Sequence, residues 1–316
     1  MKSKEKEIAS VKSYFVDNAE SWMLDAYEYG EYNYPVGFHR MRQLIQLIPK
    51  LEKVKSVIDV GCGGGHLAFS LAENGYEVLG VDQSEVMIEH AIQNLSKIGS
   101  NVASKVRFQL GSIEDLGLAS FDLMTAMGVI GYFPNDNLLF ETGKKVLKDN
   151  GYLVVSFRNK LFNLYSISNR TIKEAENGAF SQLVEEAAEL YQQIDRKDVR
   201  KFIESLHYIT GKMLEGKLLE SESGPQPTPS KAGGKEYTSV IEARQTTPKQ
   251  AQQIAADCGY YTINLYGIHP HITVPGLNEL LPYQVYNRLS DSLIPLESTP
   301  VSLLWSSVFI GVFQKK

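Results

Sequence analysis

Only two cysteines, Cys62 and Cys258, occur in the 316 residues. They have neither metal-ligand spacing nor the regular pattern of a disulfide framework, so a zinc module and a disulfide-stapled secreted fold are both unexpected. Positive charge is also short. The balance of 32 Lys and Arg against 37 Asp and Glu leaves a net charge of -5, without the basic footprint of a nucleic-acid binder. Long hydrophobic runs are missing as well. The longest, Val301 to Phe313, is broken by three serines and a glycine and is too short to span a bilayer. The opening Met-Lys-Ser-Lys-Glu-Lys-Glu has no apolar core of the kind a secretory signal needs. These absences lead us to expect a reduced, cytoplasmic chain that does not enter a membrane, does not engage nucleic acid and works as a monomer or homodimer. The length allows one large domain, or one domain with an elaboration.

The most informative feature present is Val57-Ile-Asp-Val-Gly-Cys-Gly-Gly-Gly-His66, an apolar strand running into a turn with glycine at 61, 63, 64 and 65. Glycine supplies φ > 0 and removes the Cβ, so such a turn lets backbone approach a ligand closely. Helical spacing follows from His66 to Asn74, which places free N–H groups and the positive end of a helix dipole toward that ligand. A phosphate loop would need Lys after the last glycine, and none follows. The dinucleotide fingerprint Gly-x-Gly-x-x-Gly fails at its third glycine, where His66 stands. The pattern Asp-x-Gly-x-Gly-x-Gly, at Asp59, Gly61, Gly63 and Gly65, fits completely.

Strand and helix signals alternate around this turn. Strands are expected at 56–60, 77–82, 106–110, 121–127 and 152–157, with helices at 67–73, 85–98 and 135–147 between them. Ser84 suits the N-cap of the second helix, and Lys148 to Gly151 suits a turn into the fifth strand. Alternation at this spacing implies βαβ units and a parallel sheet covered on both faces. Residues 160 to about 220 then read as polar helices, and 221–235, rich in Ser, Gly and Pro, as a loop. Thr247-Pro248 is an N-cap followed by proline at the first helical position. A helix to Cys258, a sixth strand at 261–268, a proline-rich excursion at 270–300 and a seventh strand at 301–313 complete the chain. There is no internal repeat.

Five markers, in this order, resemble the class I S-adenosylmethionine (SAM) methyltransferases. The first is the turn itself, which makes Asp59, Gly61, Cys62, Gly63 and Gly65 the expected cofactor-binding turn. The second is Asp82, closing Glu77-Val-Leu-Gly-Val-Asp, 23 residues after Asp59. A carboxylate there can accept from both ribose hydroxyls; Gln83 and Met87 join it in the expected cofactor set. The third is Phe108-Gln-Leu-Gly-Ser-Ile, where the family usually has Asp and this chain has Ser112; Ile113 would lie beside the adenine. The fourth, Phe121-Asp-Leu-Met-Thr-Ala-Met-Gly, would bring Met127 to the methionine part of SAM. The fifth, Leu147-Lys-Asp-Asn-Gly, resembles a Leu-x-Pro-Gly-Gly turn. The resemblance covers 56–157 well and 246–314 in outline. It implies a doubly wound seven-stranded α/β sheet, mostly parallel with an antiparallel last strand. The ligand would lie at the carboxyl ends of the strands, where strand order reverses.

Residues 1–55 read as a helical lid, with Tyr14, Phe15, Trp22, Tyr27, Tyr29, Tyr32, Tyr34 and Phe38 close together. Ubiquinone-type relatives place an arginine before strand one against the SAM carboxylate, a role open to Arg40 or Arg42. The segments 160–245 and 270–300 would form a cap over the acceptor, with the core in 56–159 and 246–316. The expected activity is methyl transfer from SAM to a small or medium organic acceptor, most readily at oxygen, leaving S-adenosylhomocysteine. Small-molecule N-methylation and a non-catalytic SAM-binding regulatory role are the alternatives. For a general base the candidates are His39, Tyr132, His269 and His271; Arg158 and Asn159 close strand five at the same rim, while His66 opens the helix behind the glycine turn as a structural or cofactor-side residue. No paired carboxylates stand at metal-ligand spacing, so no metal is expected.

Overall fold

A computed structural model of the chain describes residues 26–27, 34–215, 243–271, 273–278, 281 and 283–316. The loop expected at 221–235, and Tyr14, Phe15, Trp22, Tyr29 and Tyr32 of the aromatic lid, lie outside the described residues. One seven-stranded sheet runs through the molecule in the order β3-β2-β1-β4-β5-β7-β6. Its strands are β1 (Ser56–Val60), β2 (Glu77–Asp82), β3 (Val106–Leu110), β4 (Phe121–Ala126), β5 (Leu147–Arg158), β6 (Tyr260–Pro270) and β7 (Ser306–Lys315). The first five pair in parallel, and β7 inserts antiparallel between β5 and β6. The order reverses between β1 and β4, which is where an open α/β sheet leaves a crevice at its carboxyl edge.

Alternation along the buried strands divides the core into two layers. Val57, Val154, Ile310 and Val312 face one layer, which packs on α1 (Val36–Leu47) and α2 (His66–Glu73). Ile58, Leu153, Val155, Phe309 and Phe313 face the other, against α4 (Asn137–Val146), which follows α3 (Glu85–Leu95) in the chain, and against later helices. Those later helices include α5 (Phe162–Ser166), α6 (Asn169–Glu176), α7 (Phe180–Tyr191) and α8 (Arg196–Glu215), which fill the polar helical stretch after β5. The chain returns through α9 (Pro248–Asp257), where Thr247 and Gln250 form a reciprocal capping box. It ends with α10 (Tyr283–Ser292), α11 (Pro300–Trp305) and β7.

Two expected elements differ. The turn at 148–151 is absorbed into β5 as a bulge. The register with β4 jumps from Phe121↔Leu147 to Leu123↔Tyr152, and Asn150 takes φ 61. The expected strand at 301–313 begins as helix α11. Thr299-Pro300 starts that helix, and the Ser302 hydroxyl, bonded to the Glu297 and Thr299 carbonyls at 3.0 and 2.7 Å, anchors its first turn. Only from Ser306 does the chain join the sheet. No helix among the described residues is long and apolar enough to cross a membrane.

Candidate functional site

The glycine turn folds back on β2. Gly61 N and Cys62 N both donate to the Val81 carbonyl, at 2.7 and 3.1 Å. Gly61, Gly63 and Gly65 take φ 71, 51 and 87, a region closed to most side chains. Space is as restrictive as dihedral. A Cβ at Gly61 would overlap the Val129 side chain, and one at Gly65 would lie 2.7 Å from the Phe108 ring. Cys62 is buried behind the turn, where burial raises its thiol pKa; it backs the loop rather than facing the crevice.

Asp82 ties the turn to the next helix. One carboxylate oxygen accepts from Gly63 N at 3.0 Å and the other from Ser84 N at 2.9 Å, while Ser84 caps α3 at Met87 N. Burial raises the Asp82 pKa, and these backbone donors oppose it. Asp59 is deeper. Its carboxylate accepts from Thr125 Oγ1 at 2.7 Å across β1 and β4. Burial first, and the Asp82 charge besides, push its pKa up to about 7 against the Thr125 hydrogen bond.

Turn, β2, β3 and β4 together enclose a cavity of about 350 Å³. Gly61, Gly63, Asp82, Gln83, Met87, Ser112, Ile113, Met127 and Tyr132 all line it. Asp59, Cys62 and Gly65 shape it from behind. At its far end the Ser112 hydroxyl donates to Glu114 at 2.8 Å, and Ser112 N donates to Asp115 at 2.9 Å. Glu114 itself lines the cavity, so an acid is present beside the position where the sequence shows serine.

The two arginines of α1 separate cleanly. Arg42 pairs with the buried Glu297 at 2.7 Å. Arg40 instead lies over Gly128, its Nη1 only 2.6 Å from where a Cβ there would stand. Burial, then the charge of Arg158, hold its pKa down to about 10, while Tyr27 and Tyr132 act the other way. Its Nε is buried without a hydrogen-bond partner among the described residues. Tyr27 closes the same corner, its ring stacked on His66 with centroids 4.3 Å apart. Burial, reinforced by Asp59, raises its pKa.

His39, His269 and His271 are brought together, but away from the cavity lining. The Tyr34 ring stacks on both His39 and His269, with centroids 4.3 and 3.9 Å apart, and His269 lies 4.2 Å from His271. His269 Nε2 is 3.0 Å from Tyr286 Oη and 3.2 Å from Ser290 Oγ. Burial lowers all three pKa values, to about 4 for His39 and His271, so the imidazoles are neutral at pH 7. Although Asp291 is 4.0 Å from His39, the two are therefore not an ion pair at that pH. Tyr132 stands apart from this cluster, on the cavity wall. Asn159 is spent inside the fold, donating to the Leu303 and Ser306 carbonyls at 2.7 and 2.8 Å. Among the described residues no group of three or more His, Cys, Asp or Glu is arranged to hold a metal ion.

The histidines set a sign for pH dependence. A histidine whose folded pKa is lowered contributes nothing above pH 6.5, where it is neutral in both states. It destabilises as pH falls from 6.5 toward 4, because only the unfolded chain takes up the proton. Asp59 and Glu297, with pKa values pushed up to about 7, act oppositely in the same window. The paired comparison isolates one group. His39→Gln is expected to cost most stability above pH 6.5, with the cost shrinking toward pH 4.5, as measured by urea midpoints at both pH values.

Sequence reasoning passed over Arg244. Its guanidinium donates to the Phe133 and Ile130 carbonyls at 3.1 and 2.9 Å and pairs with Asp136, clamping the loop after β4 that carries Tyr132. No local signal marks it, because its partners are more than a hundred residues away in the chain.

A family model described as a methyltransferase domain matches residues 51–220, more than half of the chain. The chain belongs to this methyltransferase family. A ubiquinone biosynthesis O-methyltransferase from Hydrogenovibrio crunogenus is 28% identical to this methyltransferase over 156 residues, which cover 48% of this chain and 61% of that protein. Another of the same name, from Haemophilus ducreyi, is 31% identical over 124 residues, covering 36% of this chain and 49% of that protein. The chain thus spans about half the length of the curated relatives it matches. Among solved structures, a magnesium protoporphyrin IX methyltransferase from Synechocystis with bound S-adenosylhomocysteine aligns over 98% of this chain and all of its own, with TM-score 0.56 and 15% identity. That likeness shows the fold, the class I SAM-dependent methyltransferase architecture.

Proposed function

We propose that this methyltransferase uses SAM to methylate a small or medium organic acceptor at oxygen, in the cytoplasm. The observation that carries the reading is the convergence of the glycine turn, Asp82 and the unpartnered Arg40 Nε around one crevice. A Cβ at Gly128 would stand 2.6 Å from Arg40 Nη1, so glycine there is what lets the guanidinium lie against the backbone at the edge of the crevice. In this reading Arg40 holds the amino-acid carboxylate, with the geometry a guanidinium offers. Asp82 accepts from the ribose hydroxyls, and Gln83 and Met87 flank them. Ile113 packs on the adenine, and Ser112 and Glu114 face its polar edge. Met127 and the Gly128 backbone border the methionine chain, and Tyr27 closes over it.

When bound, SAM supplies a methyl group already activated by a positive sulfonium. The chain's task is then alignment, holding the acceptor oxygen about 3–3.5 Å from that methyl, and exclusion of water, which favours loss of charge in the transition state. Tyr132 is placed on the cavity wall to orient the acceptor hydroxyl. His39, His269 and His271, buried away from the cavity lining, take no part in this reading. In this reading the described residues 160–215 and 283–300, which follow β5 and β6, contribute the cap. The O-methyltransferase names of the sequence relatives support oxygen as the acceptor atom.

The test is incubation with methyl-labelled SAM and a small-molecule extract. Label is expected in a low-molecular-weight product released as a methyl ether or ester. Label appearing only in amines would move the assignment to nitrogen. SAM binding without any transfer would leave a non-catalytic binder.

A further inference from the structure

The carboxyl edge of the sheet carries more positive charge than SAM binding uses. Three cations there are matched: Arg42 with Glu297 at 2.7 Å, Lys160 with Glu174 at 3.1 Å, and Arg244 with Asp136. Arg40 and Arg158 have no acidic partner among the described residues. They are also neighbours. Arg40 lies over Gly128, Gly128 N donates to Ser156 Oγ at 2.7 Å, and Arg158 stands two residues beyond Ser156 on the same face of β5. Like charges held close at a partly dry edge repel, and an anion placed beside them removes that cost.

One anion is accounted for if Arg40 meets the SAM carboxylate. Arg158 is then left over, exposed at the end of β5, where that edge opens to solvent. Neighbouring polar groups do not serve instead. The Asn159 amide is consumed by two backbone carbonyls, and the Arg244 guanidinium by two carbonyls and Asp136. Tyr132 and Phe133 offer apolar faces at the adjoining cavity wall. We propose that Arg158 forms a second anion subsite that holds an acidic group of the acceptor, so that the acceptor is a small organic acid, carboxylate or phosphate, with an apolar body. This rests on the proposed SAM site and names the substrate class for it.

The test uses the full chain saturated with S-adenosylhomocysteine and titrated calorimetrically with benzoate, phenyl phosphate and the neutral isostere benzamide. At least one acid is expected to bind about tenfold more tightly than benzamide, the difference of one charge-assisted contact. Which acid prefers the site distinguishes carboxylate from phosphate. Arg158→Gln is expected to erase that preference while leaving S-adenosylhomocysteine affinity unchanged, and Arg158→Lys to restore part of it. Equal binding of acids and amide would overturn the subsite. So would an Arg158→Gln protein that loses S-adenosylhomocysteine affinity instead, since both arginines would then serve the cofactor. Failure of the wild-type chain to bind S-adenosylhomocysteine at all would remove the cofactor reading, and the division of labour between the arginines with it.

Discussion

Gly61→Val is expected to abolish binding of S-adenosylhomocysteine and to lower stability by about 2–5 kcal/mol. Two costs add. A β-branched residue at φ 71 carries roughly 1–2 kcal/mol of left-handed strain. Its side chain also has to displace Val129, and overpacking of this kind costs about 1–3 kcal/mol. Val129 lines the cavity, so its displacement also changes the shape of the site. Gly75→Ala supplies the control. Its φ of 98 imposes similar backbone strain, but nothing lies within 4 Å of the new Cβ. That variant should lose about 1 kcal/mol of stability and keep its affinity for S-adenosylhomocysteine. Urea denaturation and calorimetry on both variants separate strain from occlusion, and normal binding by Gly61→Val would refute the role given to the turn.

Asp82→Ala should weaken S-adenosylhomocysteine binding by about 1.5–3 kcal/mol, the scale of a hydrogen bond to a charged group. That corresponds to roughly ten- to 150-fold in Kd. The carboxylate does two things at once. It accepts from Gly63 N and Ser84 N, fixing the turn against α3, and it presents lone pairs to the cavity. Asp82→Asn keeps one acceptor oxygen and the side-chain shape, so it should fall between wild type and alanine. An Asp82→Ala protein that binds with unchanged affinity would show that the ribose contact is misplaced.

How much of this was legible in the sequence depended on how local the physics was. The glycine turn and Asp82 could be read directly, because left-handed backbone and a carboxylate at a strand end are decided within a few residues. The parallel sheet was legible too, since strand and helix periods alternate from 56 to 158. Where tertiary context decides, the reading weakened. The segment 301–305 is apolar enough for a strand, yet the Thr299-Pro300 start and the Ser302 hydroxyl hold it as helix. The choice between Arg40 and Arg42 turned on Glu297, some 255 residues away, which takes Arg42. Glu114, which places an acid beside Ser112, carries no distinguishing signal in the sequence. His39, His269 and His271 were each singled out as a proton acceptor, but their assembly with Tyr34 and Tyr286 depends on α1, β6 and α10 meeting in space.

The central claim is that the crevice between β1 and β4 is a SAM site, and calorimetric titration of the full chain with S-adenosylhomocysteine tests it most directly. One saturable site per chain is expected, weakened in parallel by Asp82→Ala and Arg40→Gln. No saturable binding up to about 1 mM, or binding indifferent to both substitutions, would contradict it.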